Sequence, residues 1–496
     1  MRSHSEVRAS EPPRATADVA PESKLPLGSL TALVVGSMIG GGIFSLPSQM
    51  ASNAASGPLL IGWLITGIGM LMLAFVFQNL ASRKPDVDGG VYGYARAGFG
   101  NYIGFTSAWG YWISAWIGNV GYLVLLMSTL GYFFPIFEGG VSWPSIIVAS
   151  ILLWALHFLV LHGVRSAAFI NTVVTIAKVV PLITFVLILI FAFKANLFTA
   201  DFWGKVTQIE GASLGSTMDQ VKNMMLITVW VFIGIEGASI YSKRAAKRSD
   251  VGRATIFGFV GVLALLLLVN ILSYGVMAQG DLAKLSDPSL AGILEHVAGK
   301  WGGGFISIGL IISLLGALLS WVMLCAEILH EPATQSVLPR FLAKENRNQA
   351  PANAMWLTSI CMQAMLIWSH FNGSTYTSLI ILASSLILLP YLWSALYQLI
   401  LAIRGESYDG TAKGRGKDLL IGALAVVYAG WLVYAGGLSY LLIAAIAYLL
   451  GTALYVWART QNGKRVFAPY EWAILAVVIG LAIWGVIGLA NGSITT

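Results

Sequence analysis

The sequence predicts an all-α polytopic membrane protein whose first ten helices form two inverted sets of five, each set opening with an interrupted helix. Three observations carry this expectation. Of the 496 residues, 57% are hydrophobic and only 10% charged, where a soluble domain carries about 25% charged residues. Apolar runs long enough for a hydrocarbon core of about 30 Å recur from residue 25 to residue 490. Two glycine-weakened places, near residues 36–44 and 234–237, fall inside the first and sixth of those runs.

The first 24 residues are polar and carry Pro12, Pro13 and Pro21. They lack the apolar core of a cleavable signal and read as a disordered cytoplasmic tail. Thirteen candidate spans follow, at about 26–52, 58–82, 102–134, 144–161, 169–193, 220–242, 254–279, 303–329, 354–371, 375–402, 418–435, 438–458 and 470–490. The eleventh and twelfth are divided only by "AGGLSY", so twelve spans are the alternative. Basic residues orient the chain. Of the 29 Lys and Arg, Lys194, Lys205, Lys222, Lys284 and Lys300 fall in loops on one side, and Lys178 falls within a span. The rest lie in the tail and the opposite loops, which the positive-inside rule makes cytoplasmic. An odd number of spans per set turns the second five upside down. Inverted repeats with broken helices mark secondary transporters that bind substrate near mid-membrane.

The same features exclude other classes. A net charge of +7 spread through short loops is a topology signal, not a nucleic-acid footprint. Cys325 and Cys361 lie in separate spans without metal-ligand spacing and read as packing residues. No paired Asp, HExxH helix or Ser with a base lies inside a span, so neither an intramembrane enzyme nor a cofactor is expected. A channel would need a ring-forming charge pattern, and none is visible.

In "GSMIGGGIF", Gly36 to Phe44, each glycine costs a helix about 1 kcal/mol relative to Ala. Gly36 and Gly40 form a GxxxG pair, which can serve helix packing alone. The alternative is a backbone that leaves helical geometry and bares amide N–H groups for an anionic ligand, with freed carbonyls offered to a cation. A second weak place beside a carboxylate, Glu236 in "VWVFIGIEGASIY", favours binding. Charge at mid-depth costs at least about 2.5–3.5 kcal/mol and needs a reason. Lys178, Glu236 and Glu327 are the three ionisable residues well inside spans. The histidines at 157, 162, 296, 330 and 370 lie at or near span ends.

"GSMIGGGIFSLPSQMA", "YWISAWIGN", "VWVFIGIEGASIYSKRA" and "SWVMLCAEILHEPATQSVLPRFL" together resemble the amino acid–polyamine–organocation superfamily. The likeness is greatest to its basic amino acid/polyamine antiporter branch, and there to the arginine/ornithine antiporters. It runs from about residue 24 to 402 and fits the remaining spans loosely. The resemblance implies a LeuT-type 5+5 transport core over 25–402, with three additional C-terminal helices over 403–496. It also implies a multi-pass protein of the bacterial inner membrane.

By the same resemblance the substrate carboxylate meets Ile39, Gly40, Gly41, Gly42 and Ile43, with Ser37 where relatives have Asn and Gly41 where they have Ser. Trp230 stacks on the substrate side chain, with Ile233 in the same segment. Tyr111 is an inner gate, Trp321 lines the pocket floor, and Asn119 tunes binding. Aromatic faces hold a guanidinium or ammonium by about 0.5–2 kcal/mol. Glu236 matches a carboxylate used for pH-dependent gating. Lys178 stands where sodium-coupled relatives hold a cation, which argues against sodium coupling. Glu327 is either part of an inner gate or a helix-end ion pair. The implied substrates are arginine and ornithine, with lysine a further candidate, moved by exchange. The alternative is proton-coupled uptake of lysine, histidine or another amino acid. A homodimer is a further expectation.

Overall fold

The computed structural model describes residues 26–163, 167–236, 248–408 and 414–494. The N-terminal tail and the basic run Lys243, Arg244 and Lys247 lie outside the described residues. Eighteen helices are described: α1 (Leu27–Met38), α2 (Gly42–Ala51), α3 (Ser56–Arg83), α4 (Gly90–Phe99), α5 (Asn101–Gly131), α6 (Trp143–His162), α7 (Ala167–Ala192), α8 (Ala195–Thr199) and α9 (Thr217–Trp230). After these come α10 (Arg248–Tyr274), α11 (Gln279–Ala283), α12 (Ser289–Ala298), α13 (Lys300–Thr334), α14 (Ala352–Asn372), α15 (Tyr376–Arg404), α16 (Arg415–Ala435), α17 (Gly437–Gln461) and α18 (Pro469–Ala490). A two-residue hairpin, β1 (Gln208–Ile209) with β2 (Ala212–Ser213), precedes α9.

Among the described residues, ten helices are long and apolar enough to cross a bilayer, and the bent pair α1–α2 makes an eleventh. The protein is therefore a multi-pass membrane protein. Two of the thirteen expected spans fall short of that measure. The sixth keeps only the 14 helical residues of α9 before its ladder stops. The ninth, α14, has the length but is diluted by Asn353, Thr358, Ser359, Gln363 and Ser369. The uncertain division at "AGGLSY" is a real boundary: α16 ends at Ala435 and α17 starts at Gly437, whose φ is +82°.

Local chemistry places the ends. Ser216 caps α9 reciprocally with Asp219, and left-handed Gly373 and Gly405 close α14 and α15. The long α5 is buried along most of its length against α4, α13 and α15, whereas α18 is mostly exposed and packs on α17. Apolar side chains that point to lipid need no other partner, so α5 is the axis of the molecule and α18 its rim. The polar loop after α3 holds the short helix α4. One ion pair fastens α3 to α16. Arg83 lies 2.6 Å from Asp418, which also accepts from Asn79 Nδ2 (3.1 Å) and the Tyr408 hydroxyl (2.9 Å).

Candidate functional site

The helical ladder of the first span stops at Met38 and restarts at Gly42, and the two axes differ by 46°. Close neighbours require glycine here. A Cβ on Gly40 would run into the Tyr122 hydroxyl, and one on Gly42 would stand 2.9 Å from Cδ1 of Trp230. The restart leaves the N–H groups of Gly42 and Ile43 without an acceptor among the described residues. Such bare donors at a helix start carry partial positive charge.

A second interruption faces the first. Past Trp230 the chain leaves the helix, and residues 231–236 form successive turns. Gly234 sits at φ +107°, a conformation other residues rarely adopt. The Ser37 hydroxyl reaches its carbonyl at 3.3 Å, and a Cβ on Gly234 would lie 2.8 Å from the Ser37 carbonyl oxygen. Residues 237–247, the continuation of this span, lie outside the described residues.

The ionisable groups fit around these two places. The Lys178 ammonium, on α7, donates to the carbonyls of Gly36 (2.6 Å) and Ile39 (3.0 Å). It thereby satisfies acceptors at the end of α1 that the interruption deprives of helical donors. Glu236 is 5% exposed. It accepts from the hydroxyls of Tyr111 (2.7 Å) and Tyr391 (2.8 Å) and from the Gly234 N–H (3.1 Å).

A chamber collects Ile39, Gly40, Gly42, Ile43, Tyr111, Asn119, Trp230, Ile233 and Trp321. Its free volume is about 20 Å³, room for about one water. Trp230 closes one end, its Nε1 donating to the Tyr376 hydroxyl at 2.9 Å. Asn119 donates to Cys325 Sγ at 3.4 Å, while its Oδ1 is buried without a hydrogen-bond partner. Ser37, Gly41 and Glu236 stand one layer behind the lining, and Lys178 lies on the far side of the α1 end.

Beyond Tyr111 a second cavity of about 430 Å³ opens, lined among the described residues by Asp88, Glu236, Glu327 and Glu331, with Lys84 the basic residue on its wall. Burial pushes the phenol of Tyr92, on α4 at this cavity, well up, with Arg96 opposing, so it stays protonated. Glu327 borders this space and makes no ion pair with a described residue. One turn further on, His330 lies 3.3 Å from Glu345.

Tyr122, Tyr376 and Tyr391 were missed by sequence reasoning. Tyr122 could have been found, since Tyr111, Ala115, Gly118 and Tyr122 recur at helical spacing on one face of α5 and all line the chamber. Tyr376 and Tyr391 carry no such signal.

Comparison with known proteins agrees with this architecture. The sequence signature of the amino acid permease family matches residues 25–479. An arginine/ornithine antiporter of Pseudomonas aeruginosa is 60% identical over 95% of this chain and 98% of its own length. An L-lysine transport protein of Corynebacterium glutamicum is 44% identical, covering 94% of this chain and 95% of its own. An arginine/agmatine antiporter of Chlamydia caviae is 42% identical, covering 93% and 96%. With a signature spanning most of its length and relatives this similar end to end, the chain belongs to the amino acid permease family.

Proposed function

We propose that this protein exchanges cationic amino acids across a bacterial inner membrane, arginine inward against ornithine outward, by alternating access to one site. The observation that carries the reading is the paired interruption: Gly42 and Ile43 present bare N–H groups beside a chamber flanked by Trp230 and Trp321. A zwitterion's carboxylate suits the first feature and a guanidinium or ammonium the second. Ile39, Gly40, Gly41 and Ser37 shape the carboxylate end. Ile233 and Asn119 face the rest of the substrate. Tyr111, hydrogen-bonded to Glu236, forms the inner gate.

The finer architecture belongs to the same proposal. Spans one to ten make two inverted sets of five, with helices one and six broken, within thirteen spans and with the N-terminus cytoplasmic. On that orientation the acidic cavity is the cytoplasmic vestibule, where Glu327 draws cations toward the gate. The Lys178 ammonium occupies the carbonyls that a sodium ion would need, which supports sodium-independent transport. The last three helices, 403–496, are accessory to that core. Lysine is a second cargo candidate, supported by the L-lysine transport protein among the relatives.

The test is exchange by purified protein in liposomes. Labelled arginine should enter ornithine-loaded vesicles many times faster than empty ones. Equal uptake into both would point to uniport or proton-coupled uptake instead.

A further inference from the structure

Asp287 lies in the loop between α11 and α12, just before Pro288 at the start of α12. Its backbone is fixed: the Ser128 hydroxyl of α5 donates to the Asp287 carbonyl at 2.7 Å. Its side chain is held more loosely: Oδ1 is shielded from solvent and lacks a well-formed hydrogen bond, with the hydroxyl of Ser45, on α2, beside the carboxyl as its weak donor. The negative charge of Asp287 also reaches the Tyr376 hydroxyl. That hydroxyl accepts from Trp230, which lines the chamber. The carboxylate thus sits one layer outside the chamber, on the side opposite the acidic vestibule.

The surrounding seam is made of separable contacts. The Ser48 N–H donates to Ser289 Oγ at 3.3 Å, and Gln49 Nε2 donates to Thr377 Oγ1 at 3.0 Å. These join α2 to α12 and α15, the elements that must part for Trp230 to release Tyr376. In the closed arrangement Oδ1 is cut off from water and, among the described residues, no cation stands against it, a cost that does nothing for the fold. Parting the seam would leave Asp287 and the Ser45 hydroxyl on the wall of the new passage. They would be the anionic and polar groups met immediately before the chamber.

We propose that Asp287, with Ser45 beside it, is an outer docking site for the side-chain cation of an incoming amino acid. A guanidinium or primary ammonium pairs with the carboxylate while the seam is open, and the substrate then moves inward as α2 and Trp230 close. The inference rests on the exchange reading above and deepens it, adding a way-station on one face only. Neutral side chains gain nothing there.

The test uses membrane vesicles of both orientations loaded with ornithine, with labelled arginine offered to one face at a time. Asp287→Asn should raise the KM for arginine roughly fivefold from the face carrying the 285–289 loop, with kcat changed by less than about twofold. From the other face KM should hold, and Asp287→Glu should restore the outer value. An unchanged KM on both faces, or an equal rise on both, overturns the docking site. A variant damaged in folding would lose kcat on both faces without a one-sided KM change, which also counts against the proposal. Wild-type vesicles that exchange no arginine for ornithine overturn the functional reading and the docking site with it. Active exchange with an unmoved KM overturns the docking site alone.

Discussion

Among the described residues, Glu236 accepts from the hydroxyls of Tyr111 and Tyr391 and from the Gly234 N–H, at 2.7 to 3.1 Å. Tyr111 also lines both the chamber and the acidic cavity. Glu236→Gln keeps the shape and most hydrogen bonds but cannot ionise. It is expected to flatten the pH dependence of exchange while the protein still purifies as a folded species. A pH profile identical to wild type would remove the pH-gating role of Glu236. Glu236 was legible in the sequence because a carboxylate in mid-span is costly and demands a reason. Its partner Tyr391 was not, because in a chain with 18 Tyr a single phenol carries no periodic signal. Lys178 was legible for the same reason as Glu236, yet its contact with the carbonyls of Gly36 and Ile39 depends on how α7 packs on α1, which spacing cannot give.

At the scale of elements, the pair Arg83–Asp418 joins α3, which follows the first bent helix pair, to α16, the start of the accessory helices. Asp418 is 5% exposed and also receives Asn79 and Tyr408, while the Arg83 guanidinium lies 3.8 Å over the Tyr408 ring. Removing one charge from a fully buried pair costs about 3–5 kcal/mol. Arg83 keeps part of its surface in solvent, so about 1–3 kcal/mol is the expectation for Asp418→Asn. Thermal unfolding of the detergent-solubilised protein should show it as a clear drop in melting temperature. An unchanged melting temperature would mean that α16 is held by apolar packing alone. Most span positions were legible, since ten of the expected runs, and the bent pair α1–α2 as an eleventh, map onto helices long enough to cross a bilayer among the described residues. What the pattern concealed was the length of each ladder. α9 stops at Trp230 because Gly234 takes a left-handed turn, and α14 hides among polar residues that bond to neighbours, as Thr358 does to Trp112 and Gln363 to Trp154.

For the molecule as a whole, the two interrupted segments meet, Ser37 touching Gly234, at the level of the chamber. One end is sealed by Trp230 and Tyr376 and the other leads through Tyr111 to the acidic cavity. With room for about one water, the chamber must expand to admit an amino acid. Entry past Trp230 would require its bond to the Tyr376 hydroxyl, on α15, to open. The central claim is that the start of α2 receives the substrate's carboxylate. Direct titration of labelled arginine onto purified protein tests it, with Gly42→Ala compared with Gly430→Ala. A Cβ on Gly42 would press on Trp230 at 2.9 Å, whereas one on Gly430 meets nothing within 4 Å. Strain of this kind is worth about 1–3 kcal/mol, so arginine affinity should fall about tenfold or more in Gly42→Ala and hold in Gly430→Ala. Equal affinity in both variants would contradict a binding site at the start of α2.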